Sequence, residues 1–158
     1  MSVQHFIDSA SGVVITTCYG RVSFQETLDS ISTLRQNCLF HPTLSHLADL
    51  TGITKFDFTQ KQIRDLQRVH DPFTNDHRAA LVVTGVTRAA AVLFRTLSGN
   101  PNLGLFSTVP EALAWLDLSA SILPGYVSHA AANLHAIDRN PRIELVMPRN
   151  VSSKRMPH

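Results

Sequence analysis

The spacing of apolar positions changes several times along the chain, and each change marks an element. Residues 3–8, VQHFID, and 13–19, VVITTCY, are rich in strand formers and are separated by SASG, whose Gly12 can take a positive φ. They predict an antiparallel hairpin, with Gly20 closing its second strand. In GRVSFQETLDSISTLRQN the period lengthens. Phe24, Leu28, Ile31 and Leu34 recur every three or four residues behind a Ser23/Glu26 capping box, which predicts an amphipathic helix with one buried stripe.

His41-Pro42 ends that pattern, and LSHLADL at 44–50 reads as a short strand with an acidic residue near its carboxyl end. A second helix over about 60–70 sets Ile63, Leu66 and Val69 on one side and Lys61, Arg64, Asp65 and Arg68 toward water. RAALVVTG at 78–85 is a continuous apolar run, as expected of a strand covered on both faces. VTRAAAVLFRTL then predicts a third helix with Ala90, Leu93, Phe94 and Leu97 inward. LGLFS at 103–107 is a last strand, and VPEALAWLDL a last helix with Pro110 in its first turn and Trp115 as its anchor.

The order ββαβαβαβα predicts an α/β fold. A mixed β-sheet, an N-terminal antiparallel hairpin followed by parallel βα units, is covered by helices through right-handed crossovers. This domain occupies 1–118. Residues 119–158 form a C-terminal extension with one candidate helix at 126–137 and a basic tail expected to be mobile.

Composition adds bounds. With 158 residues, 44% hydrophobic and 16% charged, one core can form without a disulfide or metal staple. Cys18 and Cys38 form no C-x-x-C pair and read as free thiols of a reducing compartment. The amino terminus does not resemble a signal peptide, and no run of ~18 apolar residues occurs, so a cytoplasmic setting is expected. The net charge of +2 divides into −1 over residues 1–137 and +3 over 138–158. A nearly neutral body with a short basic end argues against nucleic acid as a partner.

Candidate chemistry is sparse. HDPFTNDH, 70–77, gathers two histidines and two aspartates, but its spacing matches no helical ligand pair, so it reads as a solvated connection, and no metal or cofactor is expected. His46, in a half-buried strand, reads as a hydrogen-bonded core histidine. TGVTR, 84–88, lies where open α/β sheets bind ligands. One glycine makes no phosphate loop, so helix capping is the first role of Thr84, Thr87 and Arg88, and with Asp49 and Thr51 at a neighbouring strand end they are also the candidate ligand or anion site. No serine lies in a G-x-S-x-G turn and neither cysteine opens a helix, so the chain is not expected to be an enzyme. Phe73, Phe94 and Leu97 are core residues that could also line a small-molecule cavity between helix and sheet.

DLTGITKFDFTQKQ, 49–62, carries a resemblance. It is similar to the turn of the STAS domains, the anti-sigma-factor antagonists and their relatives, in which a strand ending in Asp-Leu runs to an Asp-Ser-Ser-Gly turn that opens a helix. GRVSFQETL resembles the start of that family's first helix, RAALVV its fourth strand and FSTVPEALAWL its strand–helix ending, so the likeness spans about 3–118. The closer resemblance is to the SpoIIAA-like, stand-alone bacterial branch, which shares the fold and for which small-ligand or membrane association has been suggested. Here Asp57 stands at the family's Asp, Phe58 replaces the first Ser, Thr59 takes the phospho-acceptor position and Gln60 replaces Gly.

The resemblance implies a non-catalytic regulatory module that binds a protein partner, a kinase or an anti-sigma-type factor, through Asp57, Phe58 and Thr59. The residues alone give Thr59 a plainer role, as a helix cap paired with Gln62. The alternative is a carrier or sensor for a small apolar ligand or lipid, with peripheral membrane contact, and a homodimer is compatible with either. The two differ in their interiors. A protein-binding module keeps a filled core, whereas a carrier should hold a cavity of ~300 Å³ or more.

Overall fold

The computed structural model describes residues 2–118, so the candidate helix at 126–137 and the basic tail lie outside the described residues. The hairpin forms as expected. Strands β1 (Val3–Asp8) and β2 (Val13–Val22) pair antiparallel from Val3↔Cys18 to Asp8↔Val13. The Asp8 carboxylate accepts from the Ala10 and Ser11 N–H groups, and Gly12 takes φ +67.

Gly20 does not end the second strand. It sits at φ +64 inside β2, beside a register shift, so its left-handed backbone makes a bulge that the strand passes through. The added length of β2 gives β3 (Ser45–Phe56) partners beyond residue 50, and the expected seven-residue strand grows to twelve. Gly52 permits the close approach there: a Cβ on it would lie 2.6 Å from the Cys18 carbonyl oxygen. The turn before the second helix therefore shrinks to residues 57–59.

Helix α1 (Phe24–Gln36) has the Ser23/Glu26 capping box and buries Ser30, Ile31 and Leu34. Helix α2 is short, Gln60–Asp65, and continues as a single π-helical turn, Leu66–His70. That wider turn shifts the phase of the stripe. Ile63 is buried, but Val69, expected inward, is 66% exposed. Strand β4 (Ala79–Val82) is buried throughout, followed by α3 (Gly85–Ser98), β5 (Leu103–Phe106) and α4 (Val109–Trp115).

The five strands lie in the order β1-β2-β3-β4-β5, antiparallel in the first pair and parallel thereafter. Each parallel connection steps to the adjacent strand in the same direction, so right-handed crossovers place α1, α2 and α3 on one face. The last helix covers the other. Val13, Ile15, Leu47, Ala80 and Val82 alternate along their strands to meet Ala112, Leu113 and Leu116 of that helix. Arg78 fixes its end, with its guanidinium 5.2 Å from the Trp115 ring centroid and 2.9 Å from Asp117. No helix among the described residues is long and apolar enough to cross a membrane.

Candidate functional site

Between the sheet and α1–α3 lies a cavity of about 170 Å³. Its origin is a meeting of small side chains. Thr16, Cys18, Ala48 and Ala79 floor it from the sheet, and Thr27, Ser30, Ala90 and Ala91 face them from α1 and α3. Close-packed interiors leave few voids wider than a water molecule, so one of this size marks a place where neither layer fills the gap. Phe56, Phe58, Phe73 and Phe94 stand around it.

Nine of the lining residues carry titratable or hydroxyl groups, and His5, Thr16, His46, Asp71 and His77 form the most polar part of the wall. The Thr16 hydroxyl lies 2.8 Å from Nδ1 of His5 and 2.8 Å from Nε2 of His46. A hydroxyl has one proton, so it donates to one imidazole nitrogen and accepts from the other. His46 stacks on Phe73 at 4.5 Å between ring centroids, and Phe73 stacks on His77 at 4.6 Å, while Phe40 meets Phe73 edge-on. Nδ1 of His77 is 2.6 Å from the Thr74 carbonyl oxygen, and Asn100 donates to the His77 carbonyl. The polar groups are thus largely turned onto one another.

Burial sets their charge. It pushes the His5 imidazole down to about 4, with the Ser30 backbone opposing weakly, although Nε2 of His5 makes no hydrogen bond and is sealed from solvent. His46 is held well below the ordinary histidine range, by burial first and then by His77 and His5. The Cys18 thiol is pushed up to about 12 by burial and next by Asp49, so it is not a thiolate nucleophile at neutral pH. Burial raises Asp71, against the Phe73 N–H, His77 and Arg35, which pull it down.

Of the eight site residues expected from sequence, only Phe58 and Thr87 line this cavity. Phe58 packs at 4.2 Å on Phe56 and edge-on to Phe24. Thr87 is buried, and its hydroxyl accepts from the Thr84 N–H at 3.2 Å, while Arg88 is exposed. Asp49, 9% exposed, accepts from the N–H and the hydroxyl of Thr51 at 3.0 and 2.6 Å. These local bonds account for both strand ends. Of the expected cavity residues, Phe73 and Phe94 line it and Leu97 does not.

The segment 70–77 needs correcting. Phe73 and His77 are buried, so the stretch is not simply a solvated connection; it folds two of its rings into the core. Among the described residues no three His, Cys, Asp or Glu side chains form a metal-binding group. His5 and Thr16 were missed altogether, their signal being a histidine and a threonine on facing positions of a strongly apolar hairpin.

Asp57 and Thr59 stay at the surface. Asp57 lies 3.0 Å from Arg21 and 3.4 Å from Lys55, exposed pairs that contribute little. Thr59 forms a complete capping box: its hydroxyl accepts from the Gln62 N–H at 3.1 Å, and its own N–H donates to Gln62 Oε1 at 2.9 Å. Thr59→Ala is expected to cost about 1 kcal/mol, read as a lower urea midpoint at unchanged slope. An unchanged midpoint would remove the cap from the stability of α2.

No protein-family model, curated protein or solved structure matches the chain.

Proposed function

We propose that the domain binds a small, largely apolar molecule in the cavity between the sheet and α1–α3, and that it binds without making or breaking bonds. The carrying observation is the cavity itself, about 170 Å³ of space between the sheet and the helices. This falls short of the ~300 Å³ expected of a carrier for a small apolar ligand or lipid, but it suits a single ring, since a dry apolar cavity of ~150 Å³ can hold benzene. The element order supports the resemblance to STAS domains, and the ligand association suggested for their SpoIIAA-like branch agrees with a hollow interior. An exposed turn at 57–59 would also suit a docking partner, but the Thr59 hydroxyl already has a structural task, so the cavity is the stronger basis.

Toluene is the probe of choice. Calorimetric titration of the full chain with toluene should show saturable binding and a thermal midpoint that rises with its concentration. Ala91→Leu, which extends a side chain into the cavity, should abolish both while leaving the protein folded. If toluene neither binds nor shifts the midpoint, this reading fails.

A further inference from the structure

We infer that the molecule held here is an uncharged ring carrying one hydrogen-bond donor, a phenol-type hydroxyl or a ring N–H, and that Nε2 of His77 receives that donor. The inference rests on the cavity reading above and adds the chemistry of recognition to it. The tautomer of His77 follows from geometry. A carbonyl oxygen only accepts, so Nδ1, 2.6 Å from the Thr74 carbonyl, carries a proton, and in that tautomer Nε2 has the lone pair.

Among the described residues that lone pair is unused. Nε2 of His77 makes no hydrogen bond among the described residues. The His77 ring lines the cavity, and its Nε2 is not one of the sealed, unpartnered atoms among the described residues, which are Ser2 Oγ and His5 Nε2. Its face is held against Phe73, which fixes the direction of the lone pair. The other acceptors in the wall are engaged or sealed: Asp71 takes the Phe73 N–H at 3.0 Å on Oδ1, the hydroxyls of Thr16, Thr27, Ser30 and Thr87 are in hydrogen bonds, and Nε2 of His5 is shut off from solvent.

Charge selects against ions. Among the described residues no lysine or arginine lines the cavity, and the imidazoles of His5 and His46 are held neutral by burial. An anion would lose its hydration, find no cation and meet Asp71. A neutral donor suffers none of these costs. The aromatic edges and faces of the wall, Phe56, Phe58, Phe73 and Phe94, favour a flat ring.

Phenol, toluene and benzoate, nearly equal in size, separate the possibilities when titrated into the full chain by calorimetry and by long-range proton–nitrogen spectra of the histidine rings. Phenol should bind about five- to ten-fold more tightly than toluene, the value of one buried hydrogen bond, and move the Nε2 resonance of His77. Benzoate should bind more weakly than either. Equal affinities for phenol and toluene, a His77 Nε2 resonance unmoved at phenol saturation, or preferred benzoate would each overturn the inference while toluene binding keeps the cavity reading. If neither phenol nor toluene binds, both fall together.

Discussion

Phe73→Ala is expected to destabilise the domain by about 3–5 kcal/mol, the usual cost of removing a buried phenylalanine ring. Phe73 is 8% exposed and stacks with the imidazoles of both His46 and His77, which are themselves 6.4 Å apart, with Phe40 edge-on against it and Val14 and Leu34 beside it. Its loss removes the surface on which both histidines rest and enlarges a cavity that is already present. Thr16, Cys18, Ala48 and Ala79 on the strands have little side chain with which to fill the added space. Phe73→Leu should cost less than half as much, since it keeps most of the volume and gives up only the stacking. Urea unfolding measures both. Val69→Ala serves as the control: that side chain is exposed, and its removal should stay within ~0.5 kcal/mol. A Phe73→Ala cost as small as the Val69→Ala one would mean that the ring stack does not hold the site together.

How far the sequence could be read depended on whether the deciding interaction was local. The capping boxes at Ser23 and Thr59, the Pro110 start of α4 and the apolar run of β4 are set within a few residues, and each formed as expected. The length of β3 was not local. It depends on β2 continuing past its bulge at Gly20, which no pattern within 44–56 reveals. The same holds for Val69, whose exposure follows from a π-helical turn that the apolar period does not encode.

The site was the least legible part for a related reason. Its histidines and the Thr16 hydroxyl come from β1, β2, β3 and the connection before β4, and a cavity is defined by what several elements fail to fill. His46 was conspicuous as a histidine in a strand, and hydrogen bonding in the core was the right expectation for it. Its partner Thr16 lies thirty positions away and His5 a further eleven, so neither could be joined to it by spacing. His77 looked like part of a polar connection because its neighbours Asn75 and Asp76 are exposed, while its own ring turns inward onto Phe73.

The same histidines predict acid lability. A His5 pKa of about 4 in the fold, against 6.5 in the unfolded chain, means that unfolding takes up a proton anywhere between those values. Stability is therefore full above pH 6.5 and is lost as pH falls toward 4, by about 3 kcal/mol at 1.36 kcal/mol for each pH unit of the gap. His46, depressed in the same direction, steepens the loss. Asp71 acts in the opposite sense: its folded pKa is raised, so its contribution is present in acid and fades as pH rises through that value, which offsets part of the decline. Urea unfolding at pH 7.5 and at 4.5 should show the drop directly. His5→Gln removes one proton-binding site while keeping a hydrogen-bonding side chain beside Thr16. Whatever it costs at pH 7.5, its stability should fall less steeply with acid than that of the parent. Parallel pH profiles for the two proteins would show that the His5 ring is as easily protonated in the fold as out of it, and that the cavity wall is not the neutral surface on which ligand selection depends.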